Sequence, residues 1–118
     1  MTTNQESTEV NSLASSQNYL MFILEQLSAL DDISYRPMMG EIILYYRGKI
    51  VGGIYDDRLL VKPVKSAVSY MRNTTYESPY DGAKEMLLVD DVDNKEYLSG
   101  LFMAMYDELP TPKAKKKK

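Results

Sequence analysis

Residues 33–62 read ISYRPMMGEIILYYRGKIVGGIYDDRLLVK, and the fold is decided there. The hydrophobic period is two, carried by β-rich segments at Ser34–Met39, Glu41–Tyr46, Lys49–Tyr55 and Arg58–Lys62 with short breaks between them. Such a run predicts an antiparallel meander. Arg47-Gly48 suits a two-residue hairpin turn, and Asp56-Asp57 suits the next, because aspartate tolerates the backbone angles that tight hairpins require. Gly52-Gly53 inside the third segment marks either a bulge or a close approach by another backbone or a ligand, with the bulge the preferred reading.

Upstream the period changes. Tyr19, Leu20, Ile23, Leu24, Leu27 and Leu30 recur at spacings of three and four, which places one apolar stripe on a helix capped by Ser15 or Ser16 and running to about Leu30. Downstream, Pro63 offers a preset backbone angle for a short helix whose apolar side is Val64, Ala67, Val68 and Met71. Residues 73–81 read as a polar, tyrosine-bearing loop. Glu85–Val89 is nearly all apolar at its centre and reads as a central strand, or one covered on both faces. Asp93, with Glu96 three residues on, forms a capping box for a last helix that buries Tyr97, Leu98, Leu101, Phe102, Met105 and Leu109. Pro110 and Pro112 stop it.

The order helix, meander, helix, strand, helix predicts an α+β fold with two layers: an antiparallel sheet of about four to six strands, flanked by helices on one side. The chain divides into a disordered N-terminal segment (1–15), one domain (16–110) and a disordered lysine-rich tail (111–118).

Composition excludes more than it assigns. The chain of 118 residues has no cysteine and no histidine, which removes disulfides, thiolate nucleophiles, the usual zinc ligand sets and every imidazole-based triad. No apolar run approaches the roughly 20 residues of a bilayer span, and residues 1–17 lack the basic and apolar regions of a signal peptide, so a cytoplasmic location with no membrane contact is expected. The net charge of −3 includes five lysines in the tail. Without them nine basic groups face 17 acidic ones, a net of −8. Such a body is a poor surface for a nucleic-acid backbone, and any DNA contact is expected from Lys115, Lys116, Lys117 and Lys118.

Several motifs bear a family likeness: Tyr35-Arg36-Pro37-Met38-Met39-Gly40-Glu41, then Leu44-Tyr45-Tyr46-Arg47-Gly48-Lys49, then Asp56-Asp57-Arg58-Leu59-Leu60-Val61-Lys62-Pro63, then Pro79-Tyr80-Asp81-Gly82-Ala83-Lys84. In this order and spacing the chain resembles the N-terminal domain of the TfoX/Sxy family of competence regulators. The resemblance implies a secretion-chaperone-like α/β arrangement and a non-enzymatic role. It implies no catalytic residues. Longer family members carry a second domain and activate competence genes, acting with a cyclic-AMP-responsive transcription factor.

Asp90-Asp91-Val92-Asp93-Asn94-Lys95-Glu96 has the oxygen ligands of a cation loop but not the spacing. Counted from Asp91, Glu96 stands where the glycine belongs and Phe102 where the bidentate glutamate belongs, so helix capping is the reading taken and no metal or other cofactor is expected. Arg36, Arg58, Lys62 and Lys84 lie at strand ends or in loops near Gly40 and Gly82. They either line an anion pocket or pair with Glu41, Asp56 or Asp57. Ten tyrosines and eight methionines are many for this length. Tyr45, Tyr46 and Tyr55 should alternate across the sheet, and Met21, Met103 and Met105 suit an adaptable surface.

Three functional readings follow. The first is a regulatory interaction module that binds a protein partner, within the transcription machinery or a second copy of itself, with Arg36, Tyr45, Tyr46, Arg58, Lys62 and Lys84 as contacts. The second is a binder of small anionic ligands, or an enzyme, built on the basic residues. The third is a weak nucleic-acid binder acting through the tail.

Overall fold

A computed structural model describes residues 17–110, and the Ser15 or Ser16 cap and the lysine tail lie outside it. Helix α1 spans Gln17–Gln26, followed by strands β1 (Ile33–Met38), β2 (Glu41–Tyr46), β3 (Lys49–Ile54) and β4 (Leu59–Val61). Helix α2 (Lys65–Tyr70), β5 (Tyr76–Glu77), β6 (Met86–Leu88) and α3 (Lys95–Met105) complete the domain, with a 3₁₀ turn at Tyr106–Glu108. All six strands form one sheet in the order β1-β2-β3-β4-β6-β5, and every pairing is antiparallel. The α+β plan read from the sequence is the observed one, and β6 is an interior strand.

Three tight turns set the register of the meander. Met39 and Gly40, Arg47 and Gly48, and Asp56 and Asp57 all have positive φ, from 51° to 86°. That is the I′ signature, whose twist matches that of the flanking strands. Tyr55 and Arg58 close the third turn with reciprocal backbone bonds of 2.9 and 3.1 Å.

Gly52-Gly53 serves both purposes considered for it. Leu44 pairs with Gly52 while Tyr45 pairs with Ile50, so Val51 is the extra residue of a bulge. The glycines also admit close approach: a Cβ on Gly52 would strike the Leu60 carbonyl, and one on Gly53 would lie 2.5 Å from the Ile42 carbonyl and 2.9 Å from the Tyr55 ring.

One sheet face meets the helices. Ile42, Leu44, Tyr46, Ile54, Leu59, Val61 and Leu87 pack with Leu20 and Ile23 of α1, with Leu27 in the turn after it, and with Leu98, Leu101, Phe102 and Met105 of α3. Each fully buried leucine, isoleucine or phenylalanine contributes roughly 1.5–3 kcal/mol over its exposed state. The helices are also pinned to one another and to their flanking segments by polar contacts. Gln26 Nε2 donates to the Val92 carbonyl (2.9 Å), Tyr70 Oη to the Tyr97 carbonyl (3.0 Å), and Glu108 Oε1 accepts from Ser66 N (2.7 Å).

Local expectations are corrected in four places. The first helix stops at Gln26 and continues to Leu30 as turns, because Leu27, Ser28 and Leu30 donate to carbonyls only three or four residues back without extending the helix. Helix α2 starts at Lys65 rather than Pro63, and its Val68 is exposed. Asn94, not Asp93, caps α3: its side chain accepts from Tyr97 N at 3.1 Å. The segment 73–81 also contains β5, a two-residue strand held by the edge of β6.

Candidate functional groove on the open sheet face

Side chains alternate along a strand, so the residues between the core positions point away from the helices. These are Glu41, Ile43 and Tyr45 on β2, Ile50 on β3, Leu60 on β4 and Met86 and Leu88 on β6. None of the described helices covers this face, yet Leu60 is completely buried. Two local elements lie on this face. The Tyr55 ring folds back over Gly53, which a side chain there would forbid, and the strap of residues 78–85 runs across the sheet with Pro79 buried.

The strap is held at its base by Arg58. Its Nη1 lies 2.6 Å from Glu77 Oε1, Nη2 donates to the Pro79 carbonyl (3.2 Å), and Nε donates to the Tyr55 carbonyl (3.1 Å). Within the strap Ser78 Oγ donates to the Ala83 carbonyl (3.2 Å) and Ala83 N to the Tyr80 carbonyl (3.0 Å). The strap is therefore a built structure, not a slack connection.

Two hollows result, one on each side of the Tyr55 and Tyr80 rings. The first, about 550 Å³, is lined by Met38, Met39, Glu41, Ile43, Tyr55 and Tyr80. The second, about 390 Å³, is bounded by Ile43, Ile50 and Met86 on the sheet and by Pro79, Tyr80 and Lys84 on the strap, with Lys62 at its side. Ile43, Tyr55 and Tyr80 line both, so the two hollows adjoin across these side chains and together make up the groove. Burial, reinforced by the neighbouring Tyr80 and Glu41, raises the Tyr55 phenol above its usual value, and it stays a neutral hydrogen-bonding group.

The residues singled out in the sequence fall into separate places. Lys62 and Lys84 both line the groove, and neither ammonium has a hydrogen bond or ion pair among the described residues. Arg58 is adjacent but is committed to Glu77 and main-chain carbonyls; the expected partners Glu41, Asp56 and Asp57 do not hold it, and it has no free fork for an anion. Arg36 is exposed on β1 opposite Ile43 and lines neither hollow. Tyr45 is half-buried on the open face. Tyr46 does not belong to this surface: it is 7% exposed on the helical side, with its ring 5.4 Å from that of Tyr106 and 6.4 Å from Phe102. Sequence reasoning missed Ile43, Met38, Met39 and Tyr80 as groove residues. The available signal was the absence of polar residues from 42 to 46, which marks a strand with apolar neighbours on both faces.

Among the described residues no group of three or more acidic side chains is placed to hold a metal ion, and no helix is long and apolar enough to cross a membrane.

The model of the TfoX N-terminal domain matches residues 25–101, from the end of α1 into α3. The chain belongs to the TfoX N-terminal domain family. The match spans the whole sheet and the strap, so both are built on segments this TfoX N-terminal domain has in common with its family. It is also similar to an uncharacterised 12.7 kDa protein in the trpE 5′ region of Spirochaeta aurantia, with 31% identity over 107 residues that cover 90% of this chain and 93% of the relative. No solved structure matches it.

Proposed function

We propose that this TfoX N-terminal domain is a non-enzymatic regulatory module that docks a segment of a partner protein in the groove on its open sheet face. The observation that carries the reading is the groove itself: two adjoining, mostly apolar hollows that none of the described helices covers, walled by a strap with its own hydrogen bonds. Tyrosine and methionine line it, and both residue types favour adaptable protein contacts. The resemblance to regulators of competence genes supports a partner within the transcription machinery.

Site-specific photo-crosslinking in cells tests this. A benzoylphenylalanine placed at Tyr80 or Met38 should trap a discrete protein adduct, and one at Met21 on the exposed side of α1 should not. Ile43→Asp should abolish the adduct while the thermal midpoint shows the variant still folded. Adducts formed only from position 21, or adducts insensitive to Ile43→Asp, would refute the groove as the docking surface.

A further inference from the structure

We infer that the segment seated in the groove is acidic, with an apolar residue in the methionine-lined hollow and a carboxylate beside Lys62 and Lys84. The inference rests on the docking reading above and adds the chemistry of the partner.

The groove is polarised along its length. At the hairpin end its charged lining residue is Glu41, which accepts from Asp56 N at 3.2 Å. At the strap end the lining cations are Lys62 and Lys84, against the single carboxylate Glu85. Neither lysine's ammonium has an ionic or hydrogen-bonded partner among the described residues. The nearby guanidinium behaves otherwise, since Arg58 is saturated by Glu77 and the Ser78, Pro79 and Tyr55 carbonyls.

Lys62 is the more telling of the pair. It is half-buried and lines the second hollow together with Pro63 and Gly52. A cation in such a place gains most from a counter-ion delivered by the ligand, because partial desolvation strengthens the pair. The Tyr55 phenol, kept neutral, adds a donor between the two hollows.

Charge also argues against the chain's own C-terminus as occupant. Lys113 and Lys115 to Lys118 would bring more positive charge to a positive end. A segment with one large apolar residue and an aspartate or glutamate a few residues away satisfies both hollows.

Two pools of fluorescein-labelled, N-acetylated octapeptides provide the probe. Each peptide carries one Phe in a Ser/Gly background, with Glu in one pool and Gln in the other, placed one to four residues to either side of the Phe. Anisotropy with the full-length protein should show the Glu pool binding about fivefold more tightly at about 0.05 M salt, the gap closing at about 0.5 M. Lys62→Ala with Lys84→Ala should erase the preference, and Arg36→Ala should keep it. Equal binding of both pools, lost with Ile43→Asp, would overturn the acidic inference and leave the docking reading intact. Binding indifferent to Ile43→Asp, or no binding of either pool at millimolar concentration, would overturn both. Two other occupants would each overturn the inference: 3-phenylpropanoate binding as tightly as the peptides, or self-association that the lysine substitutions abolish.

Discussion

Arg58 Nη1 stands 2.6 Å from Glu77 Oε1, and the same guanidinium reaches main-chain carbonyls on both sides of the strap's root. One side chain thereby joins the third hairpin turn to the strap. The pair is about one-third exposed, so the charge contact itself contributes little, and the carbonyl bonds add to it. Arg58→Ala should cost about 1–2 kcal/mol in urea denaturation. It should also open the strap to protease cleavage near Tyr80–Gly82, whereas Glu77→Gln should do so only weakly.

Leu60 is as buried as Leu59, although the two face opposite sides of the sheet. If the strap and Tyr55 make a true second core, Leu60→Ala should cost about 3 kcal/mol, close to the cost of Leu59→Ala. Denaturation midpoints of the two variants measure this, and a cost below about 1 kcal/mol at position 60 would show the open face to be loosely covered.

Gly52→Ala should destabilise by about 3 kcal/mol, because the added methyl meets the Leu60 carbonyl and the Val61 Cα of the paired strand, and strand backbones cannot yield cheaply. Met39 makes the opposite case. It is 96% exposed with φ of 51°, a region costly for an ordinary side chain, and Met39→Asn should raise stability by about 0.5–1 kcal/mol.

Two pH limits are built in. The backbone N–H and hydroxyl of Ser66 hold the exposed Glu108 carboxyl below its ordinary value of 4.5. Its contribution is therefore present above about pH 4.5 and is lost as pH falls through the lowered value. Glu108→Gln should flatten the acid limb of a stability–pH curve. Burial raises Tyr19, Tyr55 and Tyr97 above 10.0, so their support of the fold is intact below about pH 10 and fails as pH rises through the raised values. A circular-dichroism titration should show unfolding on the alkaline side that is delayed in a Tyr97→Phe variant.

The meander and the long helices were legible because their information is local. Asp56-Asp57 and Arg47-Gly48 specify turn angles by themselves, and the stripe from Leu20 to Leu27 specifies a buried face. β5 was not legible, since Tyr76 and Glu77 become a strand only through pairing with Leu87 and Met86. The same reason hid the groove. Lys62 and Lys84 were recognisable as basic, but only the strap's path brings them to one hollow, and only the contacts to Glu77 and to main-chain carbonyls remove Arg58 from their company. Tyr45 and Tyr46 do alternate as expected, but both were named as contacts, because alternation gives two faces without saying which one the helices choose.

The strand order bears on how the chain reaches this state. Every pairing joins strands consecutive in sequence except β4 with β6, so most contacts close over turns of two residues or a short loop. Closing such loops costs little chain entropy, and topologies dominated by local pairing fold fast for β-rich domains. On this ground the expected late step is the pairing of β6 with β4, which also brings the strap onto the open face. Refolding should therefore show the meander protected from hydrogen exchange before the strap acquires protection, so the groove is the last part of the molecule to exist.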